Sequence, residues 1–212
     1  MNHIFDSIFS QYDGIPTHLI ILEIIGVIFG FLSVWYSKRE NILVYPTGII
    51  STALFVYILL FYGLLGDMLI NAYYFLMSIY GWYVWTQKVD EDHFTPVTTT
   101  SSRENFWSVL LFIGTAVFVA LVYELNDRWD SWTSYTDIIT TSIFFVGMWL
   151  MARKKLENWI YWIIGDVISV PLYWYKGLIF TSIQYLLFTI IAIYGYQAWK
   201  KHLNKGPETL LG

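Results

Sequence analysis

Cysteine is absent from all 212 residues, which excludes disulfides, thiolate metal sites and a cysteine nucleophile. Charge is scarce: Asp, Glu, Lys and Arg make up 13% of the chain, about half the roughly 25% of an average soluble protein. The histidines, His3, His18, His93 and His202, all fall outside the apolar stretches and form no ligand spacing, so no metal site is expected. No segment gathers a Ser/His/Asp set, which argues against a membrane enzyme. Neither a cofactor nor a nucleic-acid partner is expected. What fills the chain instead is 57% hydrophobic, with a mean hydropathy of +0.52. A core of this length could not hide so much apolar surface, so membrane lipid must solvate it.

The apolar runs predict spans near 19–37, 41–62, 67–87, 107–124, 132–152, 158–175 and 178–199. Each approaches the roughly 20 residues that a helix needs to cross hydrocarbon. Lys38-Arg39-Glu40, Gly63 to Asp67, Asn126-Asp127-Arg128, Arg153-Lys154-Lys155 and Lys176-Gly177 are too polar to stay in lipid. With the N-terminus outside, ten cationic residues lie on the inner side: Lys38, Arg39, Lys88, Arg103, Arg153 to Lys155, Lys200, Lys201 and Lys205. Only Arg128 and Lys176 lie on the outer side. The excess predicts an N-out, C-in topology. The first residues lack Lys and Arg and carry Asp6 and Asp13, unlike a cleavable signal peptide. Ile4, Phe5, Ile8, Phe9 and Tyr12 fall at helical spacing and predict an amphipathic segment over 1–18.

The chain also echoes itself. Gly30, Lys38, Glu40, Asn41 and Gly48 recur 117 positions later as Gly147, Lys155, Glu157, Asn158 and Gly165. After a deletion of three, Gly63, Ile79, Tyr80, Gly81 and Trp85 match Gly177, Ile193, Tyr194, Gly195 and Trp199. Two three-helix repeats are therefore expected, over 19–87 and 132–199. A linker over 88–131 holds the connector span 107–124, and 200–212 forms a cytoplasmic tail. The connector lets both triplets point the same way. The expected fold class is an all-α membrane protein of seven transmembrane helices in a 3+1+3 arrangement with parallel repeats, the plan of a small transporter that binds its substrate between the halves.

Aromatic residues are the second strong signal, at 20% of the chain. Those near span ends, Tyr36, Trp82, Trp85, Trp107, Trp129, Trp132 and Trp199, read as an interfacial belt. Tyr57, Tyr74, Trp162 and Trp174 fit a belt less well, and Tyr74 and Trp174 are candidates for holding a flat, partly cationic ring, a contact worth roughly 0.5–2 kcal/mol. Asn71 and Gln184 sit early in the third helix of each repeat; an amide there suits ribose hydroxyls and a carboxamide, or else bridges helices. Asn71, Tyr74, Ser78 and Trp82 share one helical face. The intramembrane acids are Glu23, Asp137 and Asp166, each costing roughly 2.5–3.5 kcal/mol to insert, so each should face the bundle. Asp166 is the acid most expected to meet substrate, and in the 117 echo its mate is Ile49. Pro46 and Pro171 are candidate hinges; Gly48 and Gly165, mates in the echo, are candidate close approaches.

The segment from Arg153 to Lys201, with its LENW…WIIGDVIS…LY..KGL core from Leu156 to Leu178, together with SWTSYTD at Ser131 to Asp137, resembles the PnuC family of bacterial vitamin-precursor transporters. The resemblance implies a SWEET-like fold and a bacterial inner-membrane location. It implies nicotinamide riboside as small-molecule substrate, with thiamine or riboflavin carried by relatives. It further implies facilitated diffusion, with trapping by a cytoplasmic kinase, and a homo-oligomeric, trimeric assembly. A SWEET-type sugar carrier is the serious alternative. A rhodopsin is excluded because 178–199 holds no lysine for a Schiff base, and no filter-like segment suggests a channel.

Overall fold

The computed structural model describes residues 16–62, 65–88, 95–126, 129, 132–175 and 179–205. Residues 1–15 of the expected segment over 1–18, the tail beyond 205, and Gly63, Arg128, Lys176 and Gly177 lie outside the described residues. Among the described residues the chain forms seven α-helices: α1 (Thr17–Lys38), α2 (Val44–Phe61), α3 (Leu65–Thr86), α4 (Ser102–Leu125), α5 (Trp132–Ala152), α6 (Asn158–Tyr175) and α7 (Ile179–Lys205). Four of them, α1, α2, α4 and α5, are long and apolar enough to cross a membrane by length and composition alone. The other three carry the polar residues Asn71, Asp166 and Gln184.

The helix ends follow from local chemistry. α4 begins several residues before the apolar run because Ser101 caps it: Ser101 Oγ accepts from Glu104 N, and Glu104 Oε2 accepts from Ser101 N. This reciprocal box satisfies two amides that the helix itself cannot. α1 and α5 end alike. Glu40 and Lys154 adopt positive φ, 52° and 57°. Asn41 N then donates to Tyr36 O, and Lys155 N to Leu150 O, the Schellman closure that normally calls for glycine. Pro46 is not a hinge, since it occupies the first turn of α2, where its missing N–H removes no intrahelical bond. Pro171 does lie inside α6.

Within each triplet, α1 packs on α2 and α2 on α3, while α5 packs on α6 and α6 on α7. The triplets meet where α1 touches α7 and α3 touches α5, and α4 lies against α5. The outer face of α4 presents Phe106, Val109, Ile113, Val117 and Leu121, each more than half exposed, as a surface solvated by lipid would.

The two triplets correspond by a single shift of 114, not by the expected 117 with a deletion. Lys38 and Ala152 end α1 and α5, Val44–Phe61 and Asn158–Tyr175 bound α2 and α6, and Leu65 and Ile179 open α3 and α7, each pair 114 apart. The left-handed residues Glu40 and Lys154 obey the same shift. Contacts obey it too. The α2 ring of Tyr45 covers Gly81 on α3, and its mate Trp159 on α6 covers Gly195 on α7; an added Cβ would lie 2.3 Å and 2.6 Å from those rings. The mate of Gly48 is thus Trp162, that of Gly165 is Ser51, and that of Asp166 is Thr52.

Trp85 and Trp199 do not belong to an interfacial belt. They are 4% and 0% exposed, their rings 5.6 Å apart at the seam between triplets. Each indole crosses that seam: Trp85 Nε1 donates to the Met151 carbonyl at 3.2 Å, and Trp199 Nε1 to the Ser37 carbonyl at 3.0 Å. Ser37 and Met151 are themselves mates in the 114 register. Tyr45 and Trp159 flank the pair edge-on. Trp82, Trp107, Trp129 and Trp132 remain exposed. The Trp layer lies at the basic end of the bundle, beside the α1–α2 and α5–α6 turns. There Lys154 Nζ meets Glu40 Oε2 at 3.5 Å, and Glu40 also contacts His202. Burial holds the Lys154 amine below the ordinary lysine value, and the Glu40 charge opposes that shift.

Candidate functional site

On the side of the Trp layer away from the basic end, aromatic side chains from four helices cluster beside one buried carboxylate. Asp166 on α6 is 3% exposed. Its carboxylate makes no hydrogen bond or ion pair to the described residues, and it lies within electrostatic reach of Tyr74 on α3 and Tyr185 on α7. The preceding residue, Gly165, explains how α6 presents it. Phe144 of α5 lies so close that a Cβ on Gly165 would fall 2.3 Å from Phe144 Cε1. Phe144 in turn stacks on Trp162 at 5.5 Å and on Tyr185 at 6.0 Å, and Tyr185 stacks on Tyr173 at 5.1 Å. On the facing side Tyr73 stacks on Phe145 at 3.9 Å and donates its hydroxyl to the Phe145 carbonyl at 2.9 Å. Tyr74 leans on the same ring at 6.0 Å. Phe188, the mate of Tyr74, leans on Phe31, the mate of Phe145, at 5.1 Å.

The expected site residues are only partly brought together. Asp166 and Tyr74 share the cluster. Gln184 is half-buried on α7 beside Tyr185, and its amide makes no hydrogen bond to the described residues. Asn71 is half-buried on α3, but its Nδ2 donates to the Asp67 carbonyl one turn back at 3.0 Å, which leaves Oδ1 as its free function. Trp174 is 63% exposed on the outer surface of α6 and stands apart from the cluster, so it is removed from the candidate site. The face drawn through Asn71, Tyr74, Ser78 and Trp82 breaks at its end: Ser78 is 3% exposed but Trp82 is 42% exposed. Asp137 is held by a hydrogen bond from Tyr123 at 2.9 Å, a link between α4 and α5.

Sequence reasoning passed over Tyr73, Phe144, Phe145, Tyr173 and Tyr185. One signal existed for Tyr185, which is the mate of Asn71 in both registers. A cleft of about 260 Å³ lined by Tyr73, Leu110, Gly114, Phe118 and Phe145 lies against α4, behind the Tyr73–Phe145 pair. Among the described residues no group of three His, Asp or Glu could hold a metal.

Among the described residues no ion pair neutralises this buried acid, which lies beside an aromatic cluster at the seam of apolar helices. The class is a multi-pass membrane transporter, not an enzyme. The chain belongs to the nicotinamide mononucleotide transporter family, whose model matches residues 20–201. It is similar to the nicotinamide riboside transporter PnuC of Escherichia coli (strain K12), with 27% identity over 84% of each chain. It is similar also to the riboflavin/roseoflavin transporter RibM of Streptomyces davaonensis, with 26% identity over 94% of this chain and 92% of that one. Its fold matches a crystal structure of the vitamin B3 transporter PnuC, with a TM-score of 0.64 and 20% identity over 96% of this chain and 88% of the other.

Proposed function

We propose that the protein imports nicotinamide riboside across the bacterial inner membrane by facilitated diffusion. Two parallel triplets, α1–α3 and α5–α7 joined by α4, rock about the aromatic seam, and a cytoplasmic kinase traps the vitamin by phosphorylation. The N-terminus lies outside and the basic end of the bundle faces the cytoplasm, in keeping with the cationic excess there.

The observation that carries the substrate assignment is the buried Asp166 carboxylate, which pairs with none of the described residues and lies within electrostatic reach of Tyr74 and Tyr185. It suits a pyridinium ring, which is flat and cationic, and aromatic faces add to that attraction. In this reading Asn71 Oδ1 and the Gln184 amide bind the carboxamide and ribose hydroxyls. The same carboxylate argues against the mononucleotide in the family's description. A phosphate would enter a site beside a buried acid, and none of the seven helices carries Lys or Arg away from its ends. The likeness to RibM favours riboflavin as the second reading, since an isoalloxazine also stacks on aromatic rings but is neutral.

Calorimetry on the purified protein with nicotinamide riboside, nicotinamide mononucleotide, riboflavin, thiamine and glucose tests the assignment. Binding of the riboside alone supports it, with weakening in Asn71→Ala and Gln184→Ala. Binding of riboflavin, thiamine or glucose in its place overturns it.

A further inference from the structure

The helix connection that follows α3 does more than reach α4. Thr95 is fixed to the end of the first triplet: its N donates to Gln87 O at 3.1 Å and its Oγ1 to Val84 O at 2.7 Å. Three residues on, the same segment pairs with the α5–α6 turn of the second triplet. Thr98 N donates to Lys154 O at 3.1 Å, Leu156 N donates to Thr98 O at 2.9 Å, and Thr100 N donates to Glu157 Oε2 at 3.0 Å. Between these anchors Val97, 7% exposed, inserts into the cluster that holds Trp85 and Leu156.

Glu104 fastens the far end. Its side chain is 10% exposed and takes Arg153 Nη2 and Lys155 Nζ on Oε1, each at 3.0 Å, and Ser101 on Oε2 at 2.9 Å. Lys155 Nζ also donates to Thr98 Oγ1 at 2.9 Å, and Arg153 Nη1 to the Tyr80 hydroxyl of α3 at 3.3 Å. One carboxylate thus ties the connection, α4 and the second triplet together through charge-assisted bonds, which are roughly twice as strong as neutral ones. All of this lies at the end closed by the Trp layer and by the Lys154–Glu40 pair.

We propose that Thr95–Ser101 is a strap that clamps the two triplets together at the basic end, with Glu104 as its anchor, and that the central site opens at that end only when the strap leaves the α5–α6 turn. The proposal rests on the alternating-access reading above but not on the identity of the vitamin. Separation of the triplets must lengthen a seven-residue bridge bonded at both sides, because α3 and the α5–α6 turn belong to different moving bodies.

The natural absence of cysteine makes the test direct. Ser78→Cys places a single thiol at a buried position two turns from Trp85, toward the site, and a small membrane-impermeant thiosulfonate is applied to each face in turn. Glu104→Gln and, separately, Thr98→Pro should raise the labelling rate from the basic end about tenfold, the population shift given by losing about 1.4 kcal/mol. Unchanged or slower labelling from that end in both variants overturns the strap, even if melting temperature falls, because that result assigns the cluster to folding alone. Thr98→Pro removes the Thr98 N–H donor and the Oγ1 acceptor of Lys155 but keeps the Glu104 ion pairs to Arg153 and Lys155, so it still reports if Glu104→Gln fails to fold. Failure of nicotinamide riboside to bind would sink the substrate assignment and leave the labelling result intact.

Discussion

Replacing Asp166 by asparagine should move stability and affinity in opposite directions. The residue is 3% exposed and its carboxylate accepts no hydrogen bond from the described residues, so in the empty protein its ionised form carries a desolvation cost with no local return. Insertion scales put that cost at roughly 2.5–3.5 kcal/mol for an acid at mid-span. The amide of D166N would keep the shape and remove the charge, so the detergent-solubilised variant should melt higher. For a pyridinium held about 6–8 Å away, Coulomb's law at an effective dielectric of about 20 gives about 2–3 kcal/mol. Loss of that attraction weakens binding by roughly 30- to 150-fold. Calorimetry with nicotinamide riboside and with the neutral benzamide riboside separates charge from shape: D166N should penalise the first ligand and leave the second nearly unchanged. If D166N lowers the melting temperature, or weakens both ligands alike, the carboxylate is a structural hydrogen-bond partner and the reasoning is refuted.

Two further outcomes follow from the packing. Gly81→Ala and Gly195→Ala each push a Cβ into a buried ring, Tyr45 or Trp159, and should each destabilise by about 1–3 kcal/mol in denaturant melts; a neutral effect at either position would reject the paired close approach. Trp85→Phe and Trp199→Phe each remove an indole N–H that donates to a carbonyl across the seam. Each should cost about 1–3 kcal/mol, and because the rings touch, the double variant should lose less than the sum of the two, readable in the same melts.

The helices were legible because lipid demands long apolar runs, and those runs dominate this chain. Their polar ends were harder: α4 starts at a serine cap and α7 runs on through Lys200 to Lys205, neither of which hydropathy detects. Burial was the hardest to read. Trp85 and Trp199 sit near span ends, as belt tryptophans do, and only packing between triplets reveals that their indoles face inward. The register misled for a related reason. The letters Lys, Glu and Asn recur at 117, but they stand at or beside the turns, where Lys155 and Glu157 bond to the α3–α4 connection. The contacts that fix the 114 register are written in different letters. Gly30 meets Ser51 in one triplet, and their mates Phe144 and Gly165 meet in the other; Gly48 meets Ser33, and their mates Trp162 and Gly147 meet likewise. Asp166 was found because a lone acid in an apolar run stands out. Phe144 and Phe145 were missed because phenylalanine is common here and nothing local marks one facing the seam.

Those exchanged pairs constrain how the halves can diverge. Each contact keeps one slim member, yet the slim member sits on the first helix of one triplet and on the second helix of the other. Copying a single position from one half to the other would therefore leave an aromatic ring in collision with a serine or two glycines with a void. Anyone building a symmetrised version of this protein must graft such partners jointly, since inheritance here runs through couples of residues rather than through individual sites.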